Sequence, residues 1–226
     1  MPETFFISDL HLGHHNIVKF EPHARPFDRV ADCDQAIIAA WRKTVAPTDT
    51  VYLLGDVVFP KTALPLVHEL TGHIHVILGN HDDYYRLRDT KRFDSFHGCL
   101  YWGRHGIMTH FPVHPDTIEY RFTFNLHGHL HSRMVEVGVP LRYVNVSVET
   151  TVPGGPWWSG TPYAPINWST IERALRRRKA AGAKVAPTTA RAVPPWRLGL
   201  YRLLFPQVLD DKAGSRNVHH DRRDAR

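Results

Sequence analysis

The sequence has few cysteines and no long apolar run. Its two cysteines, Cys33 and Cys99, lie far apart, which excludes a disulfide framework and a thiolate zinc cluster. No apolar segment approaches the roughly 18 residues that would span a bilayer, and the first residues lack the basic segment and apolar run of a secretory signal. We therefore expect a soluble, cytoplasmic protein of 226 residues whose core needs no covalent cross-links.

Histidine and basic residues are abundant, but they are unevenly placed. The chain contains 17 histidines, and histidine is the commonest metal ligand among the side chains. Residues 171–226 carry 14 Lys and Arg against 5 Asp and Glu, whereas residues 1–170 carry 14 against 17. We predict two regions: a slightly acidic domain over residues 1–170 and a basic C-terminal extension over residues 171–226, partly helical and disordered at its end.

Short apolar segments alternate with helical patterns in the first 150 residues. The pattern predicts helices over residues 34–43 and 64–70, and a later one over 170–178, with Ser169 as its N-cap and Glu172 at capping-box spacing. It predicts strands over 4–8, 50–54, 73–78, 106–109, 122–126 and 141–148. Strand and helix in alternation indicate an α/β protein, with an antiparallel portion where the later strands follow each other closely. Residues 152–165, rich in proline and glycine, indicate an irregular loop.

The strands end on polar side chains, and this is the main functional signal. In open α/β sheets, ligands bind outside the carboxyl ends of the strands, so these side chains should gather at one edge. Carboxylate, amide oxygen and imidazole together suit divalent metals. Seven candidate ligands follow the strand ends, enough for two metal ions with Asp56 as a bridge: Asp9, His11, Asp56, Asn80, His110, His129 and His131.

The order of these motifs resembles that of the calcineurin-like metallophosphoesterase superfamily. The matching blocks are Asp9-Leu10-His11, Gly55-Asp56, Gly79-Asn80-His81-Asp82, His110 and Gly128-His129-Leu130-His131. A longer run over residues 8–17, followed by Arg25-Pro26-Phe27, is similar to a small bacterial and phage branch of phosphoesterases. The resemblance covers about two-thirds of the chain and implies a four-layer αββα sandwich of two mixed β-sheets flanked by helices.

The resemblance also implies a role for each matching residue. One metal would take Asp9, His11, Asp56 and His131, and the other Asp56, Asn80, His110 and His129. A metal-bridging hydroxide would attack phosphorus, His81 would protonate the leaving oxygen, and Asp82 would orient His81. The function implied is that of a binuclear metal-dependent phosphoester hydrolase. We expect manganese to support activity in vitro, with iron, zinc or cobalt as alternatives.

The substrate is the less determined part of this interpretation. A phosphodiester or a nucleotide is preferred over a phosphoprotein, because the chain lacks long insertions that would form a protein-docking groove. In addition, Gly55-Asp56 continues as Val57-Val58-Phe59-Pro60 and lacks the Asp-Arg-Gly continuation expected of serine/threonine protein phosphatases. Asn80, Arg25 and His114 are candidate substrate-binding residues. Arg25 could equally form a salt bridge on the surface, and His114 could simply hold its loop.

The basic extension leaves three interpretations open. Arg176-Arg177-Arg178-Lys179 could bind nucleic-acid phosphates, which would make the protein a nuclease. The cationic segment and the apolar residues 196–205 could rest on a membrane surface. Alternatively, the extension is a solvated helix and a segment that packs on its own domain. A further alternative for the whole chain is a metal-binding scaffold without catalysis.

Overall fold

The computed structural model describes residues 1–103, 105–135 and 142–180 and contains two mixed β-sheets flanked by helices. The strands are β1 (Thr4–Ile7), β2 (Thr50–Leu53), β3 (His73–Ile77), β4 (Ser95–His97), β5 (Leu100–Trp102), β6 (Gly106–Met108), β7 (Phe124–His127), β8 (Tyr143–Asn145) and β9 (Ile166–Asn167). The α-helices are α1 (Ile17–Phe20), α2 (Val30–Thr44), α3 (Tyr84–Asp89), α4 (Pro115–Arg121) and α5 (Trp168–Ala180). Two 3-10 helices span Lys61–Glu69 and Val148–Thr151.

Each sheet is mainly parallel. The first has the strand order β4-β3-β2-β1-β9, in which only β9 is antiparallel to its neighbour. The second has the order β5-β6-β7-β8, in which β5 is antiparallel to β6 and the rest are parallel. The predicted αββα sandwich is therefore confirmed, and the carboxyl ends of seven parallel strands are available for a site.

Alternating side chains divide the core into two layers, because successive residues of a strand point to opposite faces of a sheet. Phe5 and Ile7 of β1 pack with α2, whose Ile37, Ile38 and Trp41 are buried. Phe6, between them, packs in a second layer with residues of both sheets, among them Leu54, Met108, Leu126 and Val144. The second layer is therefore the interface that holds the two sheets face to face.

Several predicted elements differ in detail from the structure. The segment 64–70 forms part of a 3-10 helix that contains Pro65, because proline cannot continue the α-helical hydrogen bonds. Asn167, rather than Ser169, lies at the start of α5, where its Oδ1 accepts a hydrogen bond from the Ser169 N–H (2.8 Å). The strand predicted over 141–148 is shorter, at Tyr143–Asn145, and Leu141 lies outside the described residues.

Helix α5 crosses the predicted domain boundary at residue 170. Its Ile171 is fully buried in the second core layer, next to the strands of the domain. The remainder of the predicted extension, residues 181–226 with the apolar segment 196–205, lies outside the described residues. Among the residues described, no helix combines the length and the apolar character needed to cross a membrane.

Candidate metal centre

The carboxyl ends of β1 and β8 join the two sheets at the edge where the candidate ligands lie. The Ser8 N–H donates to the Val146 carbonyl, and the Val148 N–H donates to the Ser8 carbonyl, each at 3.0 Å. The turns after β1 and β2 are also tied together, since the N–H of His11 donates to the Asp56 carbonyl at 2.9 Å. All seven candidate ligands follow strands that end at this edge: β1, β2, β3, β6 and β7.

One group of ligand atoms forms around Asp9. Its Oδ1 lies 3.9 Å from Nε2 of His11 and 4.0 Å from Nε2 of His131. The three side chains offer one ligand atom each, all within 4.8 Å of one another. This group could hold a metal ion.

A second group contains Asp56, His110 and His129, again with one ligand atom from each within 4.8 Å. Oδ2 of Asp56 lies 3.4 Å from Nε2 of His110 and also 3.4 Å from Nε2 of His11, which belongs to the first group. Asp56 therefore lies between the two groups, where a bridging carboxylate would be needed. Asn80 joins the second group, because its Oδ1 is 3.0 Å from Nε2 of His110.

His11 provides the clearest test of whether these residues fit a metal ion. Its imidazole is buried, and neither ring nitrogen has a hydrogen-bond partner. Burial lowers the pKa of His11 to about 3, so the ring is neutral at physiological pH. A buried polar group without a partner costs on the order of 1–3 kcal/mol. Coordination of a cation by Nε2, which faces two carboxylates, would remove that cost for Nε2.

The charges in the second group also favour a cation. Burial alone would raise the pKa of Asp56, but the hydrogen bond and charge of His110 outweigh it and lower that pKa to about 2. Burial opposes protonation of His110, yet the Asp56 and Asp9 carboxylates raise its pKa to about 9. Nδ1 of His110 lies 2.7 Å from the Leu54 carbonyl, to which it donates, and this directs Nε2 towards the group.

Five of the seven candidate ligands have a left-handed backbone. The φ angles are 58° for Asp9, 49° for His11, 55° for Asp56, 68° for His129 and 53° for His131. A non-glycine residue in this region is strained by about 1–3 kcal/mol, and such residues cluster at functional sites. Among the other described non-glycine residues, only Lys91 and Tyr163 have positive φ.

Glycine precedes three of the ligands because the turns pack against each other without space for a side chain. A Cβ at Gly79 would collide with the carboxylate and backbone nitrogen of Asp56. A Cβ at Gly128 would collide with the side chains of Ser8 and Asp9. Close approach of the turns is what brings ligands from distant parts of the chain together.

Asp9 is held by its neighbours as well as by its backbone. Its Oδ2 accepts hydrogen bonds from the Ser8 hydroxyl (2.5 Å), the Ser147 hydroxyl (2.8 Å) and the His129 N–H (3.0 Å). Burial nevertheless raises the pKa of Asp9, although His131 and His110 oppose the shift. The side chain therefore has a fixed orientation with Oδ1 towards the first group.

Arg25 does not lie where a substrate-binding residue would. It is fully buried and forms an ion pair with Glu149, with Nη2 2.6 Å from Oε1. Its guanidinium also donates to the carbonyls of Leu10 (2.9 Å) and Asp9 (2.5 Å). Of the two sequence interpretations, the salt bridge is the one observed, but it is buried and not on the surface. Because no solvent reaches Arg25, it holds the turn after β1 instead of facing a phosphate.

Glu149 is a residue that the sequence analysis missed. The same Oε1 that pairs with Arg25 accepts a hydrogen bond from Nδ1 of His131 at 2.9 Å, which directs Nε2 of that ring towards Asp9. Arg25 and His131 overcome the effect of burial and lower the pKa of Glu149 to about 2. A signal was present, since Glu149 directly follows the strand predicted over 141–148, at the edge where the ligands gather.

Asp82 also differs from its predicted role. Its carboxylate accepts hydrogen bonds from three backbone N–H groups, those of Asp56 (2.9 Å), Val57 (2.9 Å) and Gly79 (2.8 Å). It therefore fixes the turn after β2 to the turn after β3, and it makes no described hydrogen bond to the His81 ring. A short acidic side chain next to a turn accepts hydrogen bonds from nearby backbone N–H groups more readily than it accepts one from a neighbouring imidazole.

His81 and His114 are both exposed, in different settings. The backbone N–H of His81 donates to Oδ1 of Asp56 (3.0 Å), and its ring lies 5.4 Å from that of His11, centroid to centroid. His81 therefore borders the candidate metal centre from the open side. The side chain of His114 is 74% exposed and caps α4, where Nδ1 accepts from the Asp116 N–H. This position agrees with a loop-holding role.

Comparison with known proteins adds relatives but no activity. The chain is 31% identical over 190 residues to an uncharacterized protein of Methanocaldococcus jannaschii, an alignment that covers 79% of this chain and 94% of the relative. It is 30% identical over 169 residues to the gene 66 protein of Mycobacterium phage L5, covering 60% of this chain and 80% of the phage protein. No family model matches the sequence.

One solved structure supports the fold. A protein of unknown function from Aquifex aeolicus aligns with a TM-score of 0.56 at 24% identity, over 76% of this chain and 99% of that one. An archaeal phosphodiesterase aligns with a TM-score of 0.39 at 17% identity, over 67% of this chain and 88% of that one. A likeness as weak as the second says nothing about activity. On the sequence relationship, the chain belongs to the same protein family as the Methanocaldococcus jannaschii protein.

Proposed function

We propose that this protein is a binuclear metal-dependent phosphoesterase of the metallophosphoesterase superfamily, acting on a phosphodiester or a nucleotide. The observation that carries the proposal is the position of Asp56 Oδ2, 3.4 Å from an imidazole nitrogen of each ligand group. The buried, unpartnered ring of His11 supports it independently. The oxygen and nitrogen ligands suit manganese, iron, zinc and cobalt. We would supply manganese first, as the metal expected to support activity in vitro.

In this proposal the two groups hold one divalent cation each. Asp9, His11 and His131 would hold the first, His110, His129 and Asn80 would hold the second, and Asp56 would contribute to both. Two bound cations would lower the pKa of water to supply a nucleophile at neutral pH and would stabilise negative charge on the phosphoryl oxygens.

The chain itself would assist the departure of the alcohol. His81 lies on the open side of the centre, next to His11. As the P–O bond breaks, the protonated ring would donate its proton to the leaving oxygen, an effect typically worth about 10²–10⁴ in rate. Asp82 contributes indirectly, because it holds the turns that carry Asp56 and Gly79.

Hydrolysis of bis-p-nitrophenyl phosphate and p-nitrophenyl phosphate tests the proposal. We expect turnover with Mn²⁺ that is abolished by a chelator and restored by adding the metal back. Asp56→Asn should lose both metal and turnover, because each group depends on this carboxylate. Asp116→Asn is the matched control, since Asp116 is exposed and its ion pair among the described residues is with His114.

The result distinguishes catalysis from the alternatives. Turnover that is unaffected by the chelator, or wild-type turnover in Asp56→Asn, would refute the proposal. Two bound metal ions without hydrolysis of any phosphoester would instead support a non-catalytic scaffold.

A further inference from the structure

A cleft of about 1000 Å³ opens beside the candidate metal centre. Its inner end is formed by His11, His81 and His131, so it begins at the proposed reaction site. Its outer walls come from residues 13–17 and 20–24, which include the two ends of α1, and from Phe59 and Pro60. The volume is within the range of about 300–1000 Å³ that is usual for small-molecule sites.

Aromatic rings run along this cleft from the centre outwards. The His11 ring is 5.4 Å from His81, and His81 is 5.1 Å from Phe59, measured between ring centroids. Phe59 stacks on His14 at 4.1 Å with an interplanar angle of 22°, and His14 is 6.0 Å from Phe20. We call these four rings outside the metal groups (His81, Phe59, His14 and Phe20) the ring wall.

The two phenylalanines of the ring wall remain open to solvent. Phe20 is 67% exposed and Phe59 is 45% exposed. Helix α1 is able to bury apolar residues, because Ile17 and Val18 of the same helix are inside the core. Exposed phenylalanines that line a cleft are suited to stack a planar group of a ligand.

The position of His81 indicates which part of the substrate would reach the ring wall. His81 lies between His11 and Phe59, in contact with both rings. The residue proposed to protonate the leaving oxygen is therefore itself the first ring of the wall. The leaving group, and not the phosphoryl group that stays on the metal centre, would extend along the cleft.

Polar groups at the cleft favour a heterocycle over a plain hydrocarbon ring. Asn16, Glu21, His23 and Arg133 line the cleft together with the apolar residues. They offer both hydrogen-bond donors and hydrogen-bond acceptors, as the edges of a nucleobase require.

We propose that this cleft binds the base of a nucleoside leaving group, so that the enzyme prefers phosphoesters of nucleosides to esters of simple alcohols. The base would stack on Phe59 and Phe20. This inference rests on the proposed function for the position of the phosphorus, but the binding of the base to the ring wall does not depend on catalysis.

The kinetic test compares esters that differ only in the base. Adenosine 5′-phosphate is paired with ribose 5-phosphate, and thymidylyl-thymidine with its abasic analogue, using the full-length protein with Mn²⁺. Within each pair the leaving oxygen is chemically the same, so intrinsic reactivity is matched. Base–aromatic stacking predicts a kcat/KM about 10-fold or more higher for the base-bearing ester. Phe59→Ala and Phe20→Ala should reduce this ratio towards one, and Phe59→Trp should preserve it.

A binding measurement separates this inference from the proposed function. Calorimetric titration of adenosine into the metal-free protein should show binding that Phe59→Ala weakens by about 10-fold. Tyr101→Ala is the control, because Tyr101 is 55% exposed but lies on β5 of the second sheet.

Each outcome bears on one claim. Hydrolysis without any preference for the base, together with no adenosine binding, would overturn the inference and leave the phosphoesterase proposal intact. Adenosine binding that depends on Phe59, without hydrolysis of any ester, would support the cleft and refute the phosphoesterase.

Discussion

Replacing Glu149 by glutamine would test the buried network that supports the first ligand group. The Oε1 of Glu149 accepts from Nε of Arg25 (2.8 Å), pairs with Nη2 of Arg25 (2.6 Å) and accepts from Nδ1 of His131 (2.9 Å). Glu149→Gln keeps the shape but leaves the charge of Arg25 buried without a counter-ion. Removing one partner of a buried ion pair costs about 3–5 kcal/mol.

We expect Glu149→Gln to lower the free energy of unfolding by about 3 kcal/mol, the lower end of that range, because the amide oxygen still accepts a hydrogen bond. Urea unfolding of the metal-free protein, followed by circular dichroism, measures this. Glu172→Gln is the matched control, since Glu172 pairs with Arg176 on the exposed face of α5. Exposed helix pairs contribute only about 0.3–0.5 kcal/mol.

The same variant should lower the affinity of the site that contains His131 for its metal ion. Loss of a group that orients a ligating imidazole typically reduces metal affinity by about 10–100-fold. Titration of Mn²⁺ should therefore show one weakened site and one site close to wild type. If Glu149→Gln were no more destabilising than Glu172→Gln, or if both metal sites kept their affinity, the reasoning about this network would be wrong.

Three further predictions concern catalysis, pH and the extension. His81→Ala should reduce turnover about 10²–10⁴-fold for a poor leaving group while metal content stays at the wild-type level; wild-type turnover would refute its role as proton donor. Burial raises the pKa of Asp34 to about 6, although the hydrogen bond from the Gly13 N–H opposes the shift. The folded state therefore holds the proton more tightly than the unfolded state does, and the free energy of unfolding should fall as the pH rises from about 4 to about 6. In urea unfolding at several pH values, Asp34→Asn should lack this fall, which amounts to as much as about 3 kcal/mol; parallel pH profiles would contradict the argument. Deleting residues 176–226, which removes the basic run Arg176-Arg177-Arg178-Lys179, should leave turnover of bis-p-nitrophenyl phosphate unchanged but weaken cleavage of DNA or RNA, if the extension holds nucleic acid; unchanged nucleic-acid cleavage would count against that alternative.

The part of the site that could be predicted from the sequence is the part that follows strand ends. Asp9 and Asp56 each come just after an apolar strand, and parallel strands in one sheet bring their carboxyl ends to the same edge. The rule needs no knowledge of distant contacts. The rule predicts one edge of one sheet, and the structure places the seven candidate ligands after strands of two sheets, which adjoin at the ends of β1 and β8.

The supporting contacts could not be predicted in the same way, because they depend on partners far away in the sequence. Arg25 and Glu149 are 124 residues apart, and nothing near either residue indicates the other. Asp82 could bond to any of several nearby donors, and three backbone N–H groups are the ones the fold presents. The positive φ angles of Asp9 and His11 occur where their backbone N–H groups bond to the turn after β2, and that pairing is not readable from the sequence near either residue.

Short strands were missed for a related reason. Strand β9, Ile166–Asn167, consists of two residues that pair with β1 from the far end of the domain. Two residues carry no periodicity. Strand β4 could not be predicted from the sequence either, because it is only three residues long, although it extends the first sheet.

The central claim is that two metal ions bind at one edge of the sheets, with Asp56 between them. Anomalous diffraction from crystals grown with Mn²⁺, recorded at the manganese edge, tests this most directly. The account predicts two peaks per chain, one among Asp9, His11 and His131 and one among Asp56, His110 and His129. A single peak, or peaks away from these side chains, would contradict it.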